Sequence, residues 1–245
     1  RFLFVYFDQD KERSFTNYKG SRSDLMIEAS ELDLSQIRRC KVFNYTPLSF
    51  EFDYPIAKAA ELSLAEAHSA GVMTAFDSNY RFPYEDMKVY HAVQDAIYSA
   101  QILKLSQDDI RYFMKEENVF SACEKLLAGN AKIVAFTMGA SGSLLYTHKG
   151  WSYRPAYRVN ALDTTGAGDS FMGALIYLLT HETDNIEELS VLDLERIGDF
   201  CNACAAASTM MRGSLLAMPA LSQIEHVLKT APRIETQFDK IHKTF

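Results

Sequence analysis

The sequence predicts an α/β protein whose sheet is mainly parallel. Short apolar runs of strand type alternate with helical periodicities from about residue 41 to residue 180, which is typical of a parallel sheet crossed by helices. Gly71 and Gly129 stand where two of the helical segments should stop. With 245 residues, of which 48% are apolar and 23% charged, the chain can bury the core of one large domain. We therefore expect residues 1–245 to form a single domain.

The expected elements follow one another along the chain. Residues 1–7 and 13–18 read as two strands around a polar turn and predict a hairpin, which breaks the alternation and is assigned to a small flanking sheet. The further predicted strands are 41–45, 72–76, a short one beginning at 102, 132–138, a hairpin over 143–154, and 157–162. The predicted helices are 55–70, 86–100, 107–114, 120–128, 170–180, 193–211 and 220–230.

Composition excludes several classes of function. The net charge of −7 argues against a broad basic face for nucleic acid, and no stretch approaches 18 uncharged apolar residues, so we expect no membrane span. The four cysteines do not make a disulfide scaffold in a chain of this length. Cys201 and Cys204 lie one turn apart in an alanine-rich helical run, as two small buried residues would, and a zinc site would need a second ligand pair. This composition suits a reducing cytosol, and we expect a cytoplasmic protein.

Four of the predicted strands end in polar or glycine-rich loops. These loops are residues 77–81, 104–109, 137–142 and 163–169. Ligands of open α/β sheets bind outside the carboxyl ends of the strands. Four such loops on one edge therefore predict a ligand site.

The loop at 163–169 carries the sharpest signal. Gly166 and Gly168 permit backbone conformations closed to other residues, and a helix is expected to start near Asp169. Its first N–H groups would form an anion hole suited to a phosphate, with Asp169 beside it to take a proton from an attacking hydroxyl. Gly-x-Gly-Asp alone is also typical of an N-cap aspartate after a flexible turn. Gly166, Gly168 and Gly173 do not give the dinucleotide fingerprint, and this spacing disfavours an oxidoreductase module. No Walker P-loop is present either.

The full string Asp163-Thr-Thr-Gly-Ala-Gly-Asp-Ser-Phe171 closely resembles the C-terminal signature of the PfkB (ribokinase-like) family of carbohydrate kinases. Three other segments resemble family motifs in the same order: 77–81 the D-x-N-x-R of fructokinase-like members, 102–106 their central segment, and 137–142 their T-x-G-x-x-G. The resemblance runs from about residue 1 to about residue 230. It implies a ribokinase-like three-layer fold with a small β lid.

The resemblance further implies ATP-dependent phosphorylation of a hydroxyl of a small sugar, with Mg²⁺ and with K⁺ as a further expected ion. By resemblance, Asp169 is the catalytic base and also contacts the substrate. The other catalytic positions are Gly166, Ala167 and Gly168, as the anion hole, and Arg81. The nucleotide site would include Lys104, Ser106, Thr137, Gly139, Gly142, Asn202 and Gly213. Asp77 and Asn79 would lie toward the sugar, Asp109 would organise Mg²⁺ through water, and Asp163 and Thr165 would lie beside the monovalent cation.

The sequence also departs from the family pattern. Ser106 and Asp109 stand where members often carry N-x-x-E, and Gln101 stands where relatives commonly have Asp. We expect the chain to lack the N-terminal part of the family fold, residues 1–18 to be what remains of the lid, and a homodimer to form through that lid. Fructose or a related ketose is the expected substrate. A 2-keto-3-deoxygluconate kinase, a ribokinase, a nucleoside kinase and a non-catalytic sugar-binding paralogue stay open as alternatives.

Overall fold

The computed structural model describes residues 3–7, 13–17, 23–79, 86–183 and 185–235. Its larger sheet has six strands, which are, in spatial order, β3 (Val42–Tyr45), β4 (Met73–Asp77), β5 (Ile102–Ser106), β6 (Ile133–Thr137), β7 (Ser143–Thr147) and β8 (Gly150–Arg154). The strands from β3 to β6 pair in parallel, and β7 and β8 add an antiparallel hairpin. The predicted mainly parallel sheet is confirmed.

The N-terminal hairpin forms a sheet of its own. Strand β1 (Leu3–Phe7) pairs antiparallel with β2 (Arg13–Asn17), and the two are not hydrogen-bonded to the six-stranded sheet. The predicted hairpin and its separation from the main sheet are therefore confirmed. Its role as part of a lid stays a prediction.

Helices connect and cover the strands of the large sheet. They are α1 (Leu34–Arg39), α2 (Pro55–Ser69), α3 (Met87–Ser99), α4 (Gln107–Asp109), α5 (Val119–Leu127), α6 (Ala167–His181), α7 (Val191–Ser208) and α8 (Leu221–Thr230). Side-chain caps fix several starts: Asp86 accepts from the Lys88 amide before α3, and Asn118 accepts from the amides of Phe120 and Ser121 before α5. Within the described ranges, no helix is long and apolar enough to cross a bilayer.

Two apolar clusters lie on opposite faces of the six-stranded sheet. Ile102 and Ile133 point into the cluster formed with α6, α7 and α8, whereas Leu103 and Val134 point into the cluster formed with α3 and α5. Successive residues of a strand face opposite sides, so strands that are apolar throughout indicate a sheet buried on both faces. The result is the expected three-layer arrangement.

Four predicted elements differ from the structure by three residues or more, and one of them is α6, which begins at Ala167 and not at the predicted residue 170. Residues 157–162 are wrong as a strand: only an isolated bridge from Tyr157 to Arg233 forms, because the main chain here bonds to other segments, as in the Leu162 amide to the Thr209 carbonyl. The predicted helix 107–114 is a short α4 followed by a π-helical turn over Ile110–Met114, which ends at Lys115 in the left-handed conformation. Helix α7 ends at Ser208, three residues earlier than predicted, because the carbonyl of the following residue, Thr209, accepts from the Leu162 and Asp163 amides outside the helix.

We expect Gly142→Ala to lower the free energy of unfolding by more than about 2 kcal/mol. Gly142 has φ +99°, and a Cβ there would lie 2.1 Å from the Arg154 carbonyl oxygen. The matched control is Gly173→Ala, because Gly173 lies on the exposed side of α6 with open space around it; it should raise stability by about 0.5–1 kcal/mol. Urea unfolding measures both, and equal stabilities would contradict the close packing at Gly142.

Candidate active site

Three of the predicted loops meet at the carboxyl ends of neighbouring strands. Asp77 at the end of β4 is the register partner of Lys104 in β5. Ser106, at the end of β5, is the partner of Thr137 at the end of β6. The parallel register therefore gathers these polar residues at one edge of the sheet, as the sequence predicted.

A buried ion pair joins the ends of β4 and β5. The Lys104 Nζ lies 2.7 Å from Asp77 Oδ1, and the two side chains are only 8% and 5% exposed. The same Asp77 oxygen accepts from the Asn79 amide at 3.2 Å. Burial raises the pKa of Asp77 above its ordinary value; the Lys104 ammonium opposes that rise, and the nearby negative charge of Asp169 adds to it. Asp169 is therefore part of the same electrostatic cluster.

Helix α6 begins directly after Gly166, whose left-handed backbone conformation favours glycine. Gly166 is its N-cap with φ +84°, and a Cβ there would lie 3.0 Å from the Ser214 Cβ and 3.2 Å from its Cα. Asp169 is exposed and is the third residue of the helix, so its interpretation as the N-cap is wrong. The first N–H groups of a helix lack intrahelical acceptors and carry partial positive charge, and Asp169 stands among them.

The Lys104 ammonium reaches the first turn of α6. A Cβ at Gly168 would lie 3.3 Å from Lys104 Nζ and 3.5 Å from its Cε. The absence of a side chain at Gly168 therefore leaves room for this amine directly before Asp169. Asp77, Lys104, Gly168 and Asp169, all predicted site residues, form one cluster in which an ammonium and helix amides lie beside an exposed carboxylate.

Asp163 ties two loops together in front of α6. Its Oδ1 accepts from the Thr165 amide at 2.9 Å and from the Thr165 hydroxyl at 2.6 Å, and its Oδ2 accepts from the Gly213 amide at 2.9 Å. These bonds hold the Gly166 turn against the segment that contains Ser214. The predicted monovalent cation beside Asp163 and Thr165 stays a prediction.

A cavity of about 540 Å³ opens beside the start of α6. Its volume lies within the usual range of small-molecule sites. Four predicted nucleotide-site residues line it together with the start of α6, namely Thr137, Gly139, Gly142 and Asn202. The Asn202 amide nitrogen donates to the Arg154 carbonyl at 2.9 Å, which fixes that side chain. Within the described part of the chain, Lys104, Ser106 and Gly213 are not among the lining residues.

Only one of the two carboxylate oxygens of Asp109 accepts hydrogen bonds from the described residues. Its Oδ2 accepts from the amide and the hydroxyl of Ser106, each at 2.6 Å, in the capping box that starts α4. Asp109 is 2% exposed, and its Oδ1 has no hydrogen-bond partner among the described residues. An orphaned carboxylate oxygen fits a hydrated cation, and Mg²⁺ usually takes one or two carboxylates and completes its shell with phosphates and water. No cluster of three acidic, histidine or cysteine ligands occurs within the described ranges.

Arg81 lies outside the described residues, so its predicted role stays a prediction.

The sequence analysis did not predict a network of charged side chains that joins Asp199 to Arg154 and Arg233. Asp199 accepts from Arg154 Nε at 2.5 Å and Nη2 at 2.7 Å, and from Arg233 Nη2 at 2.6 Å. Arg154 and Arg233 are each more than 30 residues from Asp199, and no local spacing signals such a contact.

Solved structures share this fold. A fructokinase with bound ATP from Xylella fastidiosa matches with a TM-score of 0.79 and 24% identity over 93% of this chain and 72% of its own. A putative ribokinase II from E. coli, in complex with ATP and Mg²⁺, matches with a TM-score of 0.77 and 22% identity over 93% and 70%. This chain therefore has the ribokinase-like α/β fold.

The model of the pfkB family carbohydrate kinases matches residues 2–221. This chain therefore belongs to the pfkB family of carbohydrate kinases. The probable fructokinase-5 of Arabidopsis thaliana is 30% identical over 234 residues, which are 93% of this chain and 70% of that protein. Fructokinase-2 of Solanum lycopersicum is 30% identical over 232 residues, 92% and 69% of the two chains.

We expect Lys104→Met to lower the free energy of unfolding by roughly 3–5 kcal/mol at pH 8, because it leaves the buried Asp77 carboxylate without its cation. Removing the cation raises the pKa of Asp77 further. A carboxyl group whose pKa is higher in the folded state than in the unfolded state stabilises the fold at pH values below its unfolded-state pKa, which is near 4. That contribution is lost as the pH rises through the folded-state pKa. The deficit should therefore be larger at pH 8 than at pH 5 in urea unfolding.

Two controls accompany this prediction. Adding Asp77→Asn to Lys104→Met should recover part of the stability, because the amide is neutral. Lys229→Met removes an exposed lysine that pairs with Glu225, and its effect should stay within about 0.5 kcal/mol. A deficit at Lys104 that does not change with pH, or that the double variant does not reduce, would contradict the role of the ion pair.

Proposed function

We propose that this chain transfers the γ-phosphoryl group of ATP to a hydroxyl of a small sugar, and that fructose or a related ketose is the sugar. The observation that carries the proposal is the exposed Asp169 carboxylate in the first turn of α6, with the Lys104 ammonium against the neighbouring Gly168. Family membership supports the reaction class, and the relatives named fructokinase support the sugar. Asn79 and Arg81 would face that sugar.

In this proposal the start of α6 and Lys104 receive the transferring phosphoryl group. The Ala167 amide donates to the Thr164 carbonyl at 3.3 Å. The Gly168 amide, in the first turn of the helix, lacks an intrahelical acceptor and is available to a phosphate oxygen. The Lys104 ammonium lies at the same place, and Asp77, which compensates part of its charge, fixes its direction. Phosphoryl transfer depends mainly on alignment and charge neutralisation, and these groups supply both without rearrangement.

Asp169 is the proposed general base. Its carboxylate takes the proton of the sugar hydroxyl while that oxygen forms a bond to the γ-phosphorus and the bond to the bridging oxygen breaks, so that ADP leaves with the bridging oxygen. Asp77, which the sequence placed toward the sugar, is buried and held by Lys104, and we assign it instead as a positioning residue for the ammonium. The two carboxylates thus have different roles because one is exposed and the other is buried in an ion pair.

The apolar cavity beside α6 is the proposed nucleotide site. Mg²⁺ bound with ATP would supply charge neutralisation on the phosphates. The Oδ1 of Asp109, which has no hydrogen-bond partner among the described residues, is the proposed acceptor for its water shell. Ser106 would hold Asp109 in place through the two hydrogen bonds to Oδ2.

We expect Gly168→Ala to lower kcat roughly three- to tenfold without unfolding the protein. The added methyl would lie 3.3 Å from Lys104 Nζ, so the ammonium must give way by a few tenths of an ångström beside the proposed phosphate path, and a misplacement of about 1 Å can cost two orders of magnitude. Alanine at this helical position brings no backbone strain. Gly173→Ala, five residues along the same helix and in open space, is the matched control and should keep wild-type kcat. Unchanged kcat in Gly168→Ala would remove Lys104 from the mechanism.

The test of the proposed function is turnover of ATP on a panel of sugars. We expect phosphorylation of fructose in preference to ribose, nucleosides and 2-keto-3-deoxygluconate. Asp169→Asn keeps the shape of the side chain and removes the proton acceptor, so it should lower kcat by about 10²–10⁴-fold while ATP binding stays nearly unchanged. ADP release follows turnover, and calorimetry follows ATP binding.

Each outcome has a distinct meaning. Full turnover in Asp169→Asn would refute the base. A clear preference for 2-keto-3-deoxygluconate or ribose would change the sugar and leave the kinase in place. ATP binding without phosphorylation of any sugar would favour a non-catalytic paralogue.

A further inference from the structure

We propose that Ile234, carried by the chain segment after α8, is a wall of the nucleotide cavity and contacts the base of ATP. This inference rests on the proposed function, because it takes the cavity beside α6 as the nucleotide site. The segment concerned is residues 231–235, here called the C-terminal strap. It lies beyond residues 2–221, which the family model matches, and no motif of the sequence marked it.

The C-terminal strap is held in place by its main chain. The Arg158 amide donates to the Pro232 carbonyl and the Ile234 amide donates to the Ala156 carbonyl, each at 2.8 Å. These two bonds flank the antiparallel bridge between Tyr157 and Arg233. The strap therefore runs as a short extended segment along residues 156–158, which themselves line the cavity.

Arg233 anchors the strap and is not itself among the residues that line the cavity. Its guanidinium donates to the Pro155 carbonyl at 2.9 Å, pairs with Asp199 at 2.6 Å and lies 3.8 Å from the centre of the Tyr157 ring. Arg154 binds the same Asp199 with two hydrogen bonds, so the anchor joins β8, α7 and the strap. A forked, stacked guanidinium of this kind fixes direction as well as charge.

The extended conformation decides where Ile234 lies. Neighbouring side chains of an extended segment face opposite sides, so the residue after the anchored Arg233 faces the other way. Ile234 is half-buried and lines the cavity, whereas Arg233 and Glu235 do not line it. The anchor thus places an apolar side chain at the cavity wall.

The two ends of the cavity differ in chemistry. The start of α6, with Thr164, Ala167 and Gly168, offers backbone amides and partial positive charge, which suit phosphates. The remaining lining is mostly apolar and includes Val159, Ala205, Ala206 and Ile234. A triphosphate drawn to α6 leaves its base against this apolar part, where burial of the ring against Ile234 contributes to affinity.

The experiment compares ATP with inorganic tripolyphosphate, which has the phosphates but no base, in calorimetric titrations of the protein. Ile234→Ala should weaken ATP binding roughly three- to tenfold and leave tripolyphosphate binding unchanged. Arg233→Met, which removes the anchor and keeps Ile234, should weaken ATP in the same selective way. Glu235→Ala, next to Ile234 on the strap, is the matched control and should bind both probes as the wild type does.

The outcomes separate this inference from the proposed function. If the wild type binds ATP and Ile234→Ala binds it equally well, the strap does not contact the base, although the nucleotide site stands. If Ile234→Ala weakens both probes alike, its effect is general and the inference is wrong. If the wild type binds no ATP, the proposed function fails and this inference fails with it. Melting temperatures of the variants show that each one is folded.

Discussion

The buried pair of Asp77 and Lys104 is the constraint on which the site depends. A carboxylate and an ammonium this deeply buried are tolerated only when they meet, and removal of either would leave an uncompensated charge. They meet only if β4 and β5 keep their parallel register, because the two residues are direct partners across the strands. The sheet therefore aims one ammonium at the first turn of α6, and the lack of a side chain at Gly168 makes room for it.

The walls of the cavity depend on two close backbone approaches. Gly142 brings the turn after β6 against the Arg154 carbonyl, and Gly166 brings the start of α6 against Ser214. Asp163 then locks the second approach through its hydrogen bonds to Thr165 and Gly213. Residues that the family motifs predicted as ligand contacts thus also have an architectural role, which explains why glycine and aspartate occupy these positions.

The sequence was sufficient wherever a local pattern carried the information. The α/β alternation, the separate hairpin and the polar strand ends were predicted from periodicity and turn residues, and the glycine-rich string located the start of α6. It was insufficient where contacts between distant segments decide the structure. Residues 157–162 have a strand-like pattern, yet their main chain bonds to Thr209 and Pro232. No local sequence pattern indicates that Arg154 and Arg233 both bind Asp199. The position of Ile234 in the cavity lining depends on that contact, and the sequence therefore did not predict it either.

Helix α6 places its reactive end and its core-packing residues on one rigid body. Asp169 stands in its first turn, while Phe171, Leu175 and Leu178 are buried in the cluster shared with α7. Local opening of a segment costs as much as the buried contacts it must break. The amides at the start of α6 therefore belong to a helix that cannot open without breaking buried core contacts, and heat should abolish phosphate recognition and the fold at the same temperature.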